Sequence, residues 1–313
     1  MSHSTDEPLP TSDEAAASIE ACSISDDTAA EAAPEWSGRL LILSAAVLWS
    51  TSGFFAKAPW FDAWPVETRG ALLAFWRSFF ALLILLPLIR RPTWRPQIIP
   101  MIVCFAVMIW SFLSAMVQGG AANAIWLQYL CPVWVLLISI FIFKEKPSRA
   151  ELLMFAFCFA GVGLIVVRES QYGSPTATAL AIVSGISYAG VILCLRSMRG
   201  VDAVWLIALN HAGSALLLSP WVVTNEHHVP WTSYLALAFF GTVQISIPYI
   251  MFAWGLRHTR PAEASVLTLV EPLLLPLWAF FAWNDQPPIW TIIGGGLILI
   301  GLVSRYAPIG RKK

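Results

Sequence analysis

Two prolines interrupt long apolar segments of this chain, and one of them directly follows an acidic residue. Pro132 and Pro272 lie 140 positions apart, and Glu271 precedes the second. A proline ring removes its own amide hydrogen and displaces the carbonyl four residues earlier, which frees the carbonyls of Gln128 and Thr268. Free carbonyls beside a carboxyl group could bind a proton or a polar solute at mid-depth in an apolar segment. These residues are the first candidates for chemistry.

Other polar and aromatic residues in apolar segments extend this candidate site. Arg77 could balance the charge of Glu271 or hold an anionic group of a substrate through its two-pronged geometry. His211 could relay protons, because histidine titrates near neutral pH. Aromatic residues and a few polar ones could line a small-molecule pocket. The candidates are Trp49, Ser50, Ser52, Trp126, Gln128, Tyr129, Tyr188, Gln244, Tyr249 and Trp254.

A structural interpretation of each charged or titratable residue remains open beside the functional one. Glu271 could be a protonated hydrogen-bond donor to a neighbouring helix, and Arg77 could extend along its stem to the outer interface. His211 could make an ordinary interhelical hydrogen bond. No glycine-rich phosphate loop follows a strand pattern, so ATP hydrolysis is not expected. No metal site, cofactor or nucleic-acid partner is expected either.

The composition indicates a membrane protein. Of 313 residues, 58% are hydrophobic and only 12% are charged, too few to cover a soluble protein of this size. Ten apolar stretches are near the length needed to cross a bilayer. We place them at 40–60, 70–89, 98–118, 122–143, 150–167, 176–195, 204–223, 234–256, 262–283 and 289–306. The first 36 residues contain nine acidic and no basic residues, which predicts a disordered cytoplasmic tail.

The basic residues predict the orientation of the spans. Fifteen of the nineteen Lys and Arg residues fall on the side of the N-terminus, and this bias places both termini in the cytoplasm. The other four are Lys57, Arg69, Arg77 and Arg168. Tryptophan side chains prefer the membrane interface and fall at predicted outer span ends. These are Trp60, Trp64, Trp221, Trp231 and Trp290.

The two halves of the chain form an internal repeat. The segment 122–167 aligns with the segment that starts at 262, and the identical positions include Pro132/Pro272, Pro147/Pro287 and Gly161/Gly301. Each half has five spans, and because five is odd the second copy must enter the membrane from the opposite side. We therefore predict an all-α polytopic membrane protein of ten transmembrane helices in two inverted five-helix repeats, 38–167 and 176–306. The tail 1–36 and a basic cytoplasmic C-terminus, 307–313, flank them.

Several short motifs resemble those of a known family. They are Ala45-Ala46-Val47-Leu48-Trp49-Ser50, Phe75-Trp76-Arg77, Tyr129-Leu130-Cys131-Pro132-Val133, Lys144-Glu145-Lys146-Pro147 and Leu269-Val270-Glu271-Pro272-Leu273. Over residues 38 to 306 the chain resembles the EamA-like, ten-helix members of the drug/metabolite transporter superfamily. In one departure, Asn284-Asp285-Gln286 stands in the second repeat where the first has Glu145, which indicates that the second half has diverged towards a different role.

The inverted repeat and the resemblance together imply a secondary active transporter. We expect export of small organic metabolites across the cytoplasmic membrane by alternating access, coupled to protons or to exchange. The expected partners are a small-molecule substrate and the lipid bilayer, and a homodimer is left open. The alternatives are a membrane-embedded enzyme, for which no cluster of catalytic groups is visible, and a channel or scaffold without a coupled cycle.

Overall fold

The structure is a computed structural model that describes residues 35–142, 144, 146–198, 200–224, 229–259 and 261–306. Nine helical segments among these residues are long and apolar enough to cross a membrane, and a shorter apolar helix follows them. We number the ten as spans 1 to 10. Their bounds are Trp36–Ala56, Val66–Leu88, Ile98–Gln118, Ala121–Phe141, Arg149–Tyr172, Pro175–Arg196, Ala203–Thr224, Trp231–Gly255, Glu263–Trp283 and Ile289–Ser304. The predicted all-helical, ten-span architecture is confirmed.

Several spans are not single regular helices. Span 1 divides after Ser50, span 4 after Gln128 and span 9 after Thr268, whereas span 8 contains a π-helical turn. The segments are Glu35–Ser50 and Ser52–Ala56; Ala121–Gln128 and Cys131–Ile142; Trp231–Gly241, Thr242–Ser246 and Ile247–Gly255; and Pro261–Thr268 and Val270–Trp283. Span 2 comprises Val66–Leu85 and the 3-10 turn Leu86–Leu88, another 3-10 turn covers Pro59–Phe61, and the last helix is Ile289–Tyr306.

The closest helix pairings join the two repeats. Span 3 packs on span 6, span 8 on span 1, span 5 on span 10, and span 2 on span 7. If the repeats are exchanged, so that span 1 takes the place of span 6 and so on, the pairing of spans 3 and 6 becomes that of spans 8 and 1. The pairings of spans 5 and 10 and of spans 2 and 7 stay the same. This pattern is that of a two-fold related pair of repeats. Small residues permit the close approach of spans 5 and 10, because a Cβ atom at Gly294 would lie 2.8 Å from the carbonyl oxygen of Gly161.

Two details differ from the sequence-based expectation. Span 5 continues to Tyr172 rather than ending at 167, since Glu169 is buried and accepts a hydrogen bond from Trp290 Nε1 (3.3 Å). The side chain of Trp64, which was expected to face the membrane interface, is buried inside the protein instead. Its side chain is 3% exposed, because the indole stacks on the ring of Phe61 with 5.5 Å between centroids.

The predicted terminal segments fall largely outside the described residues. Residues 1–34 of the predicted acidic tail and the basic C-terminus 307–313 lie outside them, as does Glu145. Glu35 and Trp36 already belong to the first helix.

Candidate functional site: a cavity between the repeats

A cavity of about 210 Å³ lies between the two repeats. Its walls come from spans 1, 2, 3 and 4 of the first repeat and from spans 6, 8, 9 and 10 of the second. Ten of the candidate residues from the sequence line it, four of them aromatic. They are Trp49, Ser52, Arg77, Gln128, Tyr129, Tyr188, Gln244, Tyr249, Thr268 and Glu271. Pro132 lines it as well, whereas Pro272 is buried in span 9 behind Glu271.

The irregular parts of the helices surround this cavity. Spans 4 and 9 lose their regular hydrogen bonding at the residue four before a proline, where the ring displaces the carbonyl. The π-helical turn of span 8 supplies Gln244, whose Nε2 donates to the carbonyl oxygen of Trp49 (2.9 Å) at the division of span 1. Non-helical backbone at this depth is tolerated where it lines a cavity. The sequence therefore places its backbone irregularities where polar groups can face a solute.

Glu271 and Tyr129 form the polar centre of the cavity. The Tyr129 hydroxyl lies 2.8 Å from Glu271 Oε2 and 3.2 Å from the carbonyl oxygen of Thr268. The carbonyl freed by Pro272 thus finds a donor from the other repeat. Because a phenol has one hydrogen and both neighbours can accept it, the hydroxyl serves one acceptor at a time or shares its hydrogen between them.

Arg77 brings a positive charge to the same cavity. Its guanidinium carbon lies 5.1 Å from the centroid of the Phe240 ring, within the range of a cation–π contact. Its Nε is buried without a hydrogen-bond partner, and among the described residues it forms no ion pair with Glu271. The charge of Arg77 is therefore held beside the cavity, and no carboxylate in the described part of the chain forms an ion pair with it.

His211 does not line the cavity. Its ring is fully buried in span 7 and packs edge-on against Phe105 and Tyr249, with centroid distances of 5.1 and 6.4 Å. Neither ring nitrogen has a hydrogen-bond partner among the described residues. Tyr249 does line the cavity, so His211 sits one ring behind its wall.

Sequence reasoning missed parts of the wall. Met108, Ile109 and Phe112 of span 3 line the cavity, and no polar or helix-breaking residue marks them in the sequence. The sequence does contain a signal for the π-helical turn, because Pro248 displaces the carbonyl of Gln244, four residues earlier. Of the proposed lining aromatics, Trp254 is 57% exposed and does not line the cavity, and Trp126 packs against Gly295.

Comparison with known proteins agrees with this architecture. The model of the EamA-like transporter family matches residues 36–167 and again residues 176–305. This chain belongs to the EamA-like transporter family. It is therefore a multi-pass membrane protein of a family of transporters, built from two copies of the family's repeat.

Relatives of this EamA-like chain carry transporter names. An uncharacterized transporter of Archaeoglobus fulgidus is 28% identical over 272 residues, which cover 85% of this chain and 95% of the relative. The pseudopaline exporter CntI of Pseudomonas aeruginosa is 22% identical, covering 75% and 85% of the two chains. A probable terminal-alkyne amino-acid exporter of Streptantibioticus cattleyicolor is 25% identical, covering 72% and 78%.

No group of three or more His, Cys, Asp or Glu side chains in the described part of this EamA-like chain is arranged to hold a metal ion. What the cavity offers is one carboxyl group, one guanidinium and aromatic walls. Such a set can bind a small polar molecule and exchange a proton, and a broken helix of each repeat contributes to it.

Proposed function

We propose that this protein exports small organic metabolites across the cytoplasmic membrane by alternating access, coupled to protons or to exchange. The observation that carries the proposal is the cavity between inverted repeats, which holds Glu271 and Arg77 without an ion pair between them. Motion of one repeat against the other would open this cavity to each side in turn. The relatives named as exporters support the direction of transport.

The charges favour a zwitterionic substrate. Arg77 would bind a carboxylate, and Glu271 would bind an ammonium group or carry a proton. The cavity volume of about 210 Å³ is below the range of roughly 300–1,000 Å³ that is usual for ligand pockets, so the substrate must be small. The aromatic walls would contact its apolar part. One relative is named as a probable exporter of an amino acid, which supports this class.

Proton coupling would act through the shared hydroxyl of Tyr129. While Glu271 is ionised, the hydroxyl donates to the carboxylate, which is the stronger acceptor. Once Glu271 is protonated, its own O–H can donate to the Tyr129 oxygen, and the hydroxyl turns to the carbonyl of Thr268. The hydrogen bonding at the break of span 9 would then depend on the protonation of Glu271, and this links a proton to the shape of the helix.

The membrane and its orientation belong to the same proposal. The bias of basic residues supports both termini in the cytoplasm, with Lys57, Arg69 and Arg168 on the outer side. The bilayer and a small-molecule substrate are the partners that this function requires.

Thermal stabilisation of the purified, detergent-solubilised protein tests the proposal. A ligand that binds the native state at a hundred times its dissociation constant stabilises the protein by about 2.7 kcal/mol. We expect small zwitterions to raise the unfolding temperature, and we expect the size of this increase to differ between pH 6 and pH 8. Glu271→Gln should remove the pH dependence. The matched control is Glu169→Gln, a buried acid at the outer end of span 5 that does not line the cavity.

Transport of the stabilising compound into proteoliposomes then decides the function. Uptake that depends on a proton gradient or on trapped substrate supports the proposal, and Glu271→Gln should reduce it at least about tenfold, equivalent to about 1.4 kcal/mol. No stabilisation by any zwitterion, or equal loss in the Glu169→Gln control, would contradict it.

A further inference from the structure

The interface between span 1 and span 9 is joined by an ion pair at each end. At one end Lys57 Nζ lies 3.2 Å from Asp285 Oδ1, and at the other Arg39 Nε lies 2.6 Å from Glu263 Oε1. Arg39 and Lys57 are separated by about 27 Å of helix, close to the thickness of the hydrocarbon. We name Lys57–Asp285 the outer pair and Arg39–Glu263 the inner pair. Both connect the first repeat to the second.

The outer pair also forms hydrogen bonds with the backbone at the start of span 4. Asp285 Oδ2 accepts a hydrogen bond from the backbone N–H of Ala121 (3.0 Å), and Lys57 Nζ donates to the carbonyl oxygen of Gly119. One carboxylate therefore connects the end of span 1, the start of span 4 and the segment after span 9. Asn284, with a φ of 56°, ends span 9 in the left-handed conformation immediately before Asp285. This gives a role to the Asn284–Gln286 segment, in which the second repeat departs from the first.

Two indole hydrogen bonds continue the same interface from the outer pair toward the cavity. Trp283 Nε1 donates to the carbonyl oxygen of Phe54 (2.7 Å), and Trp278 Nε1 donates to Ser50 Oγ (2.8 Å). Ser50 is the neighbour of Trp49, which lines the cavity. The outer half of the interface thus carries a continuous set of polar contacts between the repeats, which must separate if the cavity is to open to the outside between these two spans.

We propose that the outer pair and the inner pair are the two gates of the transport path, and that one opens while the other remains closed. The proposal rests on the alternating access proposed above. Both pairs are formed in this structure, so it corresponds to a state closed at both ends of this interface. Opening toward the outside separates Lys57 from Asp285, and opening toward the cytoplasm separates Arg39 from Glu263.

The two gates should differ in strength. The side chains of the outer pair are 18% and 22% exposed, whereas those of the inner pair are 48% and 35% exposed. Water weakens exposed ion pairs, and the removal of one partner from a more buried pair leaves a charge without compensation. Loss of the outer pair should therefore change the conformational equilibrium more than loss of the inner pair does.

Cysteine accessibility from each side of the membrane tests the gates. Cys131 lines the cavity, so a variant in which Cys22, Cys104, Cys158 and Cys194 are replaced by Ala retains one reporter thiol there. A membrane-impermeant thiol reagent is applied to right-side-out and to inverted vesicles. In Asp285→Asn we expect labelling from the outside to rise by roughly fivefold to tenfold and labelling from the inside to fall. Glu263→Gln should have the opposite effect, with a smaller amplitude.

The chain offers a matched control and a rescue. Asp62–Arg69 is an ion pair of 2.7 Å near the same outer surface, but it lies within one repeat. Asp62→Asn should leave labelling unchanged from both sides. The exchanged pair Lys57→Asp/Asp285→Lys should restore part of the normal labelling, because the charges still attract. Thermal unfolding in detergent verifies that each variant is folded.

Opposite shifts for the two pairs support the gates. Equal shifts from both pairs, a shift in the Asp62→Asn control, or unchanged labelling of every variant would each overturn them. Labelling requires no substrate, so these outcomes are independent of the transport assay. Transport without shifts in labelling would support the proposed function and contradict the gates. Opposite shifts in labelling without transport of any zwitterion would support the gates and contradict the proposed transport of zwitterions.

Discussion

Spans 4 and 9 contain the same interruption but use it differently. In span 4 the break packs against span 6: a Cβ atom at Gly185 would lie 2.8 Å from the carbonyl oxygen of Leu127 and 3.3 Å from that of Gln128. In span 9 the break carries a carboxyl group, and Tyr129 of the other repeat donates to its free carbonyl.

The difference arises at two aligned positions. Shifted by 140 residues, Cys131 corresponds to Glu271, and Tyr129 corresponds to Leu269. The first repeat thus supplies the donor and the second supplies the acid. A proline break is a backbone feature that both repeats share, and the side chains beside it decide whether it serves packing or chemistry. Four substitutions, ordered from the largest expected effect to the smallest, test this contrast.

The largest effect is expected at Gly185. A valine there would press against the backbone carbonyls of span 4, and backbone cannot move aside as a side chain can. We expect Gly185→Val to lower the free energy of unfolding by about 2–3 kcal/mol, measured by thermal or denaturant unfolding in detergent. The control is Gly163→Val in span 5, where a Cβ atom meets no atom within 4 Å. Equal loss in both variants would show that the cost comes from helix propensity and not from packing at the break.

An intermediate effect is expected at Tyr129. Phenylalanine fills the same space but leaves Glu271 and the carbonyl of Thr268 without their donor, which should cost about 1–3 kcal/mol of stability. Tyr172→Phe is the control, because that side chain is 68% exposed. In a double-mutant cycle, Tyr129→Phe and Glu271→Gln should couple by at least about 0.5 kcal/mol. If the losses of stability in the two single variants simply add up in the double variant, the hydroxyl and the carboxyl do not interact, and this would contradict the proposed proton coupling.

The sequence predicted the spans well for a physical reason. A segment of about twenty apolar residues has few alternatives in a chain of this composition, and a proline in its middle interrupts the helix wherever the helix packs. It is harder to predict which face of each helix points to the cavity and which points outward. Both lipid and protein interior are apolar, so the sequence does not distinguish Trp254, which faces outward, from Trp49, which lines the cavity.

Contacts between distant segments could not be predicted from the sequence. The outer pair joins residues 57 and 285, and the inner pair joins residues 39 and 263. In the sequence these are only basic and acidic residues near span ends, and several others have the same character. Which of them meet depends on how spans 1 and 9 pack, and pairwise charge alone does not fix that packing.

The smallest effect is expected from the polar side chains at the two breaks, because their substitution leaves the backbone carbonyls in place. Gln128 Nε2 donates to Ser184 Oγ (2.7 Å), and that hydroxyl in turn lies 3.2 Å from the carbonyl oxygen of Met108. Gln128→Leu should therefore cost about 0.5–1 kcal/mol, since Ser184 keeps its own acceptor. Among the described residues, Thr268 Oγ1 donates only to the carbonyl of Ser265 in its own helix (2.9 Å), so Thr268→Val should cost less. Unfolding in detergent compares the two variants. A larger loss in Thr268→Val would mean that the threonine hydroxyl itself supports the break of span 9, and the contrast between the repeats would then extend beyond Glu271 and Tyr129.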